Sequence, residues 1–281
     1  MASPPAPSAR LRRIGMELRR LRIEAGLSQR RASILLDRSP SSISHLENGL
    51  CEIRPRELDF ILRQCNQPEG AFKEAMLELA RDGRKKGWWR SYTGVLSPEH
   101  MDFISLEDDA RHIRTYETLI IPGLLQTPMY AQAVFRDATP SIARGALKVR
   151  LARQSVIHKP HAPQLDVIIS EAALRQMAGG STTMQGQLDH LITVSERTNV
   201  NLRTLPLGID FHPGLLGPFT MLEIGTVGKL TVVMIEDHRG MSYVEDGDEV
   251  RGFARVFTEL NSLALDEVDS RTLIQRLRSE I

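Results

Sequence analysis

The chain has 281 residues, 41% of them hydrophobic and 25% charged, with a net charge of +1; these values are ordinary for soluble globular protein and predict two domains. It has no run of about 18 apolar residues and no signal peptide, which excludes a spanning helix. Cys51 and Cys65 lie inside a helical region and make neither a disulfide framework nor a metal site, so a reducing cytoplasm is expected.

The small net charge hides an asymmetry. Residues 1–86 hold 17 Lys/Arg against 11 Asp/Glu, while the rest hold 19 against 24. A basic head on an acidic body predicts that the head meets a polyanion. The opening MASPPAPSAR reads as a disordered leader over residues 1–9.

Leu11, Ile14, Leu18, Leu21 and Ala25 form one stripe of a first helix, with arginines 12, 13, 19, 20 and 22 on its other faces. Gly26 supplies a left-handed stop, and Ser28 caps a second helix over about Gln29 to Leu36. Asp37-Arg38-Ser39 allows only a tight corner. Ser39-Pro40 then restarts a helix, with a capping hydroxyl and a first-turn proline. This third helix buries Ile43 and Leu46 and frees Ser41, Ser42, Ser44 and His45. Two short helices joined by such a corner are the helix-turn-helix arrangement, whose second helix enters the major groove. Helices over Glu57 to Cys65 and Ala71 to Ala80 complete the head.

The run SQRRASILLDRSPSSISHLENG, with Arg54-Pro55 and Asn66-Gln67-Pro68 after it, resembles the lambda-repressor/Cro-type helix-turn-helix across about residues 10–80. The resemblance implies phosphate contacts from Gln29, Ser39, Asn48 and Arg54. It also places Pro40, Ser41, Ser44 and His45 against base edges. Three positions depart from that pattern. Asp37 stands where glycine is usual, Arg38 where an apolar residue is usual, and Ala32 where leucine is common, which predicts a thin core. No Arg, Asn or Gln lies on the exposed face of the third helix, so base readout is lean and specificity needs two half-sites, hence a dimer or a partner.

A basic linker over 81–92 leads into Trp88 and Trp89, which read as an aromatic staple or, alternatively, a ligand clamp. The body over 93–281 is expected to be α+β. A helix is predicted from Ser105 through Tyr116, then a Pro122-Gly123 turn and a helix capped at Thr127-Pro128. A long helix follows over Ala143 to His158. Five strands are predicted: Leu165 to Ile169, Asn201 to Leu205, Phe219 to Ile224, Lys229 to Ile235 and Met241 to Val244. Helices are predicted over Met184 to Glu196, Val250 to Leu263 and Ser270 to Ser279.

YETLIIPGLLQT, VRLARQ, SEAALRQ, FHPGLLGPF and VVMIED with SYVED together resemble the regulatory domain that follows such helix-turn-helix domains in actinobacterial, antitoxin-like regulators. That resemblance implies transcriptional control, a small protein partner encoded nearby, and no chemistry; a homodimer is expected from the two half-sites, and no cofactor is expected. Trp88, Trp89, Tyr116, Leu124, Leu125 and Gln126 are the candidate ligand or partner residues, and a small-molecule pocket under PGLLQ is the alternative reading. No HExxH, GxSxG, Walker loop or GxGxxG is present. His212, Glu171, Asp210 and the Glu236-Asp237-His238 string read most simply as turn, helix-start and strand-end residues.

Overall fold

The computed structural model describes residues 8–82, 87–225 and 230–281. Most of the predicted leader, the basic residues Arg84, Lys85 and Lys86, and Lys229 lie outside the described residues.

Five helices make the head: α1 Ala9–Glu24, α2 Gln29–Leu35, α3 Pro40–Glu47, α4 Pro55–Gln64 and α5 Ala71–Asp82. Each of the first three starts on a serine hydroxyl that accepts a backbone N–H: Ser8 from Leu11, Ser28 from Arg31, Ser39 from Ser42. Ile14, Leu18 and Leu21 of the α1 stripe are buried with Leu46, Ile53, Leu58, Ile61 and Leu62. Ala25 is not part of that core; it is the exposed C-cap of α1. Asp37 holds the corner between α2 and α3 with φ +48, the left-handed conformation usually given to glycine. Gly49 has φ +69, and a Cβ there would meet the Arg12 backbone nitrogen at 2.7 Å. No side chain fits where the chain leaves α3 against α1.

In the body, α6 Pro98–Asp109 leads directly into β1 Ala110–Glu117. The helix predicted from Ser105 through Tyr116 is therefore wrong. It spans the last turn of α6 and a central strand, whose Ile113, Thr115 and Tyr116 are buried against layers on both sheet faces. The remaining elements are α7 Pro128–Val134, α8 Pro140–Arg153, β2 Gln164–Ser170, α9 Glu171–Arg175, α10 Ser181–Val194 and β3 Val200–Leu205. After these come β4 Phe219–Ile224, β5 Leu230–Asp237, β6 Gly240–Val244, α11 Gly247–Leu263 and α12 Glu267–Ser279. The long helix predicted to His158 ends at Arg153 and finishes as a 3-10 turn over Gln154–His158.

The six strands form one mixed sheet in the order β3-β2-β1-β4-β5-β6. Strands β1, β2 and β3 run parallel, and β4, β5 and β6 continue antiparallel from β1. Alternate residues face opposite ways. Tyr116, Ile168, Phe219 and Val233 pack against Phe257 and Leu260 of α11. Ile113, Leu165, Val167 and Leu222 join a core with Phe103 and Leu106 of α6 and Leu273 and Ile274 of α12.

Head and body are joined by polar contacts along α1. The Ala9 amide donates to Asp102 at 2.6 Å, and Arg10 binds Ser105 and Asp109 of α6. Arg12 pairs with Glu245 at 2.7 Å while lying over the Tyr243 ring, and Arg13 donates to the Glu245 carbonyl. Thus part of the basic head answers the acidic body within the same chain.

Candidate functional site

The outer surface of α2 and α3 is built by what those helices bury. Glu47, buried at the end of α3, accepts from Arg22 of α1 and from Gln29 of α2, the latter at 2.9 Å. One carboxylate therefore locks three helices at their crossing. Arg38 does the same at the corner, binding Ser42 of α3 and Glu57 of α4. The unusual arginine thus replaces an apolar core contact with a polar tie, its stem only partly covered.

With the crossing fixed, Ser39, Pro40, Ser41, His45 and Asn48 are exposed and Ser44 is half-buried. None of them makes a hydrogen bond or ion pair to the body among the described residues. Ser39 Oγ lies 2.9 Å from Ser41 Oγ, and Asn48 turns back to donate to the Ser44 carbonyl at 2.8 Å. Gln29 sits on an exposed helix start, but its amide is committed to Glu47. Arg54 is exposed at the N-cap of α4. Sequence reasoning passed over Arg30, Arg31 and Arg56, which are exposed and make no ion pair among the described residues. Their signal was their place within the first turns of α2 and α4.

The six body candidates do not form one site. Trp88 and Trp89 stack edge to face, 5.9 Å between centroids. Trp89 is buried with Ile104 and Val149, so the pair staples the start of the body to α6 and α8. Tyr116 lies in the α11 core, on the opposite face of the sheet from Thr115. Leu125 and Gln126 are buried, and Gln126 holds the loop by donating to the Ile121 carbonyl and accepting from Arg150. Gln154 and Gln187 donate to further carbonyls of the same turn, so PGLLQ and VRLARQ are packed together.

Of these six, Leu124 lines a cavity. Its volume is about 90 Å³, between the sheet and the helices α6 and α8. The cavity also holds Glu117, Arg150, Thr115 and Thr220, with Glu236 and His100 at its mouth. Burial, then the neighbouring Glu236, pushes the Glu117 carboxyl up to about 8. Burial and Arg153 bring Arg150 down to about 10. Glu236 was read as a strand end in solvent; it is exposed, yet it rims this cavity. Elsewhere Glu171 accepts the Leu207 amide and pairs with Arg175, and Asp237 pairs with Arg239. Among the described residues no three His, Cys, Asp or Glu side chains gather as a metal site, and no helix is long and apolar enough to cross a membrane.

Two family models match the chain. One, described as a domain of unknown function (DUF5753), matches residues 100–276. The other, described as a helix-turn-helix domain, matches residues 13–72. No curated protein and no solved structure gives a match.

Proposed function

The chain belongs to the family of the domain of unknown function DUF5753, and on that premise we propose that it is a sequence-specific, DNA-binding transcriptional regulator of the lambda-repressor/Cro, antitoxin-like type. The helix-turn-helix match supports DNA as its partner. The observation that carries the reading is the placement of α3: its serine and histidine face stands open to solvent while Glu47 and Arg38 fix it from behind. Arg30, Arg31, Arg54 and Arg56 supply cations beside it for phosphates.

The body is the half that dimerises, receives a small protein partner, or both. The FHPGLLGPF stretch supports this, because Phe211, Leu215 and Leu216 stand 78%, 63% and 88% exposed, with Leu207 beside them in sequence. Exposed apolar side chains so grouped mark interaction surfaces.

Genomic occupancy mapping, followed by titration of the recovered site at several salt concentrations, tests the reading. Six phosphate contacts would give a slope of about −5 in log K against log salt. A flat slope, or occupancy without a recurring sequence, overturns it. Size-exclusion of the wild type against Leu216→Glu, with and without the product of the adjacent small gene, tests the body surface.

A further inference from the structure

The cavity between the sheet and α6/α8 is lined by a carboxyl group and a guanidinium that face each other without meeting. The carboxyl group of Glu117, at the end of β1, makes no hydrogen bond or ion pair among the described residues. Arg150, from α8, donates to Gln126 at 3.1 Å and lies over the Phe135 ring, but reaches no carboxylate within ion-pair distance. The other charged groups facing Glu117 are already matched. Arg153 holds Glu107 through two hydrogen bonds at 2.7 and 2.8 Å, and Glu236 stands 3.8 Å from His100 at the mouth. Phe103, Ile113, Leu165 and Met234 make the walls apolar. Glycine at 123 leaves the guanidinium its place: a Cβ there would lie 2.5 Å from Arg150 Nη1 and push that group aside.

We propose that this cavity is an effector site for a small zwitterion, its ammonium on Glu117 and its carboxylate on Arg150. A volume of about 90 Å³ holds roughly six waters at 10–15 Å³ each, the size of an amino acid with a short apolar side chain. A ligand that carries both charges gives the carboxylate and the guanidinium each an ion-pair partner. In the empty site Glu117 keeps its proton through neutral pH, its pKa being about 8. Binding therefore releases that proton, and affinity rises from pH 6 to 8.

Helix α6 supplies the route outward. His100, Phe103 and Glu107 face the cavity at i, i+3 and i+7. Asp102, Ser105 and Asp109 repeat that spacing on the face that holds Ala9 and Arg10 of the DNA-binding head. A ligand that shifts α6 shifts the seat of α1. This coupling rests on the regulator reading; the binding site does not.

Calorimetry on the full chain tests the site without DNA, using as probes the twenty amino acids, γ-aminobutyrate and 5-aminovalerate, with n-butylamine and butyrate as single-charge controls. A zwitterion should bind at least tenfold tighter than either control. Glu117→Gln should lose at least tenfold and Arg150→Gln a similar factor, each variant still melting in one cooperative transition without ligand. Glu117→Gln should also abolish proton release between buffers of different ionisation heat. Tighter binding of butylamine or butyrate, or no binding by any probe, overturns the site and leaves the DNA reading intact. Hydrogen exchange then reads the coupling. Bound ligand should change protection in α6 and in Arg10–Arg13, and binding with both segments unchanged overturns the effector role.

Discussion

Arg10 Nη2 lies 2.6 Å from Asp109 Oδ2, with the arginine side chain 3% exposed and the carboxylate 13%. The head of this protein is therefore bound to its body by a desolvated ion pair. Ser105 completes it with its hydroxyl and its carbonyl. Breaking such a desolvated pair costs about 3 kcal/mol. Arg10→Met should lower the urea midpoint and split unfolding into two transitions as the head separates from the body. Asp109→Asn should act in the same direction more weakly, because the amide still accepts. A single unshifted transition in Arg10→Met would show that the two halves are held elsewhere.

The residues proposed to face DNA divide by what they can read. Arg54 is an exposed cation at a helix start, so Arg54→Ala should weaken binding to every sequence alike and flatten the salt slope by about 0.9. His45 projects from the exposed face of α3, and His45→Ala should instead cost about 1 kcal/mol of preference for the operator over random DNA. Competition titrations at two salt concentrations separate these effects. If His45→Ala lowers both affinities equally, the histidine touches phosphate and not a base.

Much of this architecture is written in local chemistry. Ser28, Ser39 and Thr127 cap where their hydroxyls say they should, the last two with a following proline, and the apolar runs from Leu165 onward become strands. The same chemistry stands at Ser97-Pro98, where the Ser97 hydroxyl accepts the His100 amide at 3.3 Å. Reading that start would have ended the helix before β1. What hid the strand is its central place: Tyr116, buried on the face that it shares with the half-buried His112 and Arg114, breaks alternation for a reason visible only in the sheet. The cavity was illegible for a similar reason. Glu117, Arg150 and Glu236 lie far apart in sequence and meet only through strand order, and Tyr116, adjacent to Glu117, points to the other face. The basic head misled in part too, since Arg10, Arg12 and Arg13 serve the body.

Ala32 thins the head core where a larger residue is common in the resembling family. A gap of about 30 Å³ lies against it, among Leu18, Leu36, Ile43, Leu46 and Ile61. At about 24 cal/mol per Å³ such a void costs roughly 0.7 kcal/mol. Ala32→Leu should fill it and raise the urea midpoint of the full chain by about that much. A lowered midpoint would mean that the helices cannot open to take the added atoms, and that close approach of α2 to α3 requires alanine.

Glu117 should also leave its mark on stability against pH. Its carboxyl titrates at about 8 in the folded chain against 4.5 in the ordinary group. Between those values the folded state holds a proton that the unfolded state has lost. Stability gained from that proton is complete below the unfolded value and is lost as pH rises through the folded one, at up to about 1.4 kcal/mol per pH unit. Glu117→Gln cannot ionise. The variant should lie within about 1 kcal/mol of wild type near pH 5 and become more stable than wild type by pH 8, by an amount on the order of 4 kcal/mol. Urea titrations of both proteins at pH 5, 6.5 and 8 check this. Parallel pH profiles would place the carboxyl in water and remove the reason for a charge-matched ligand.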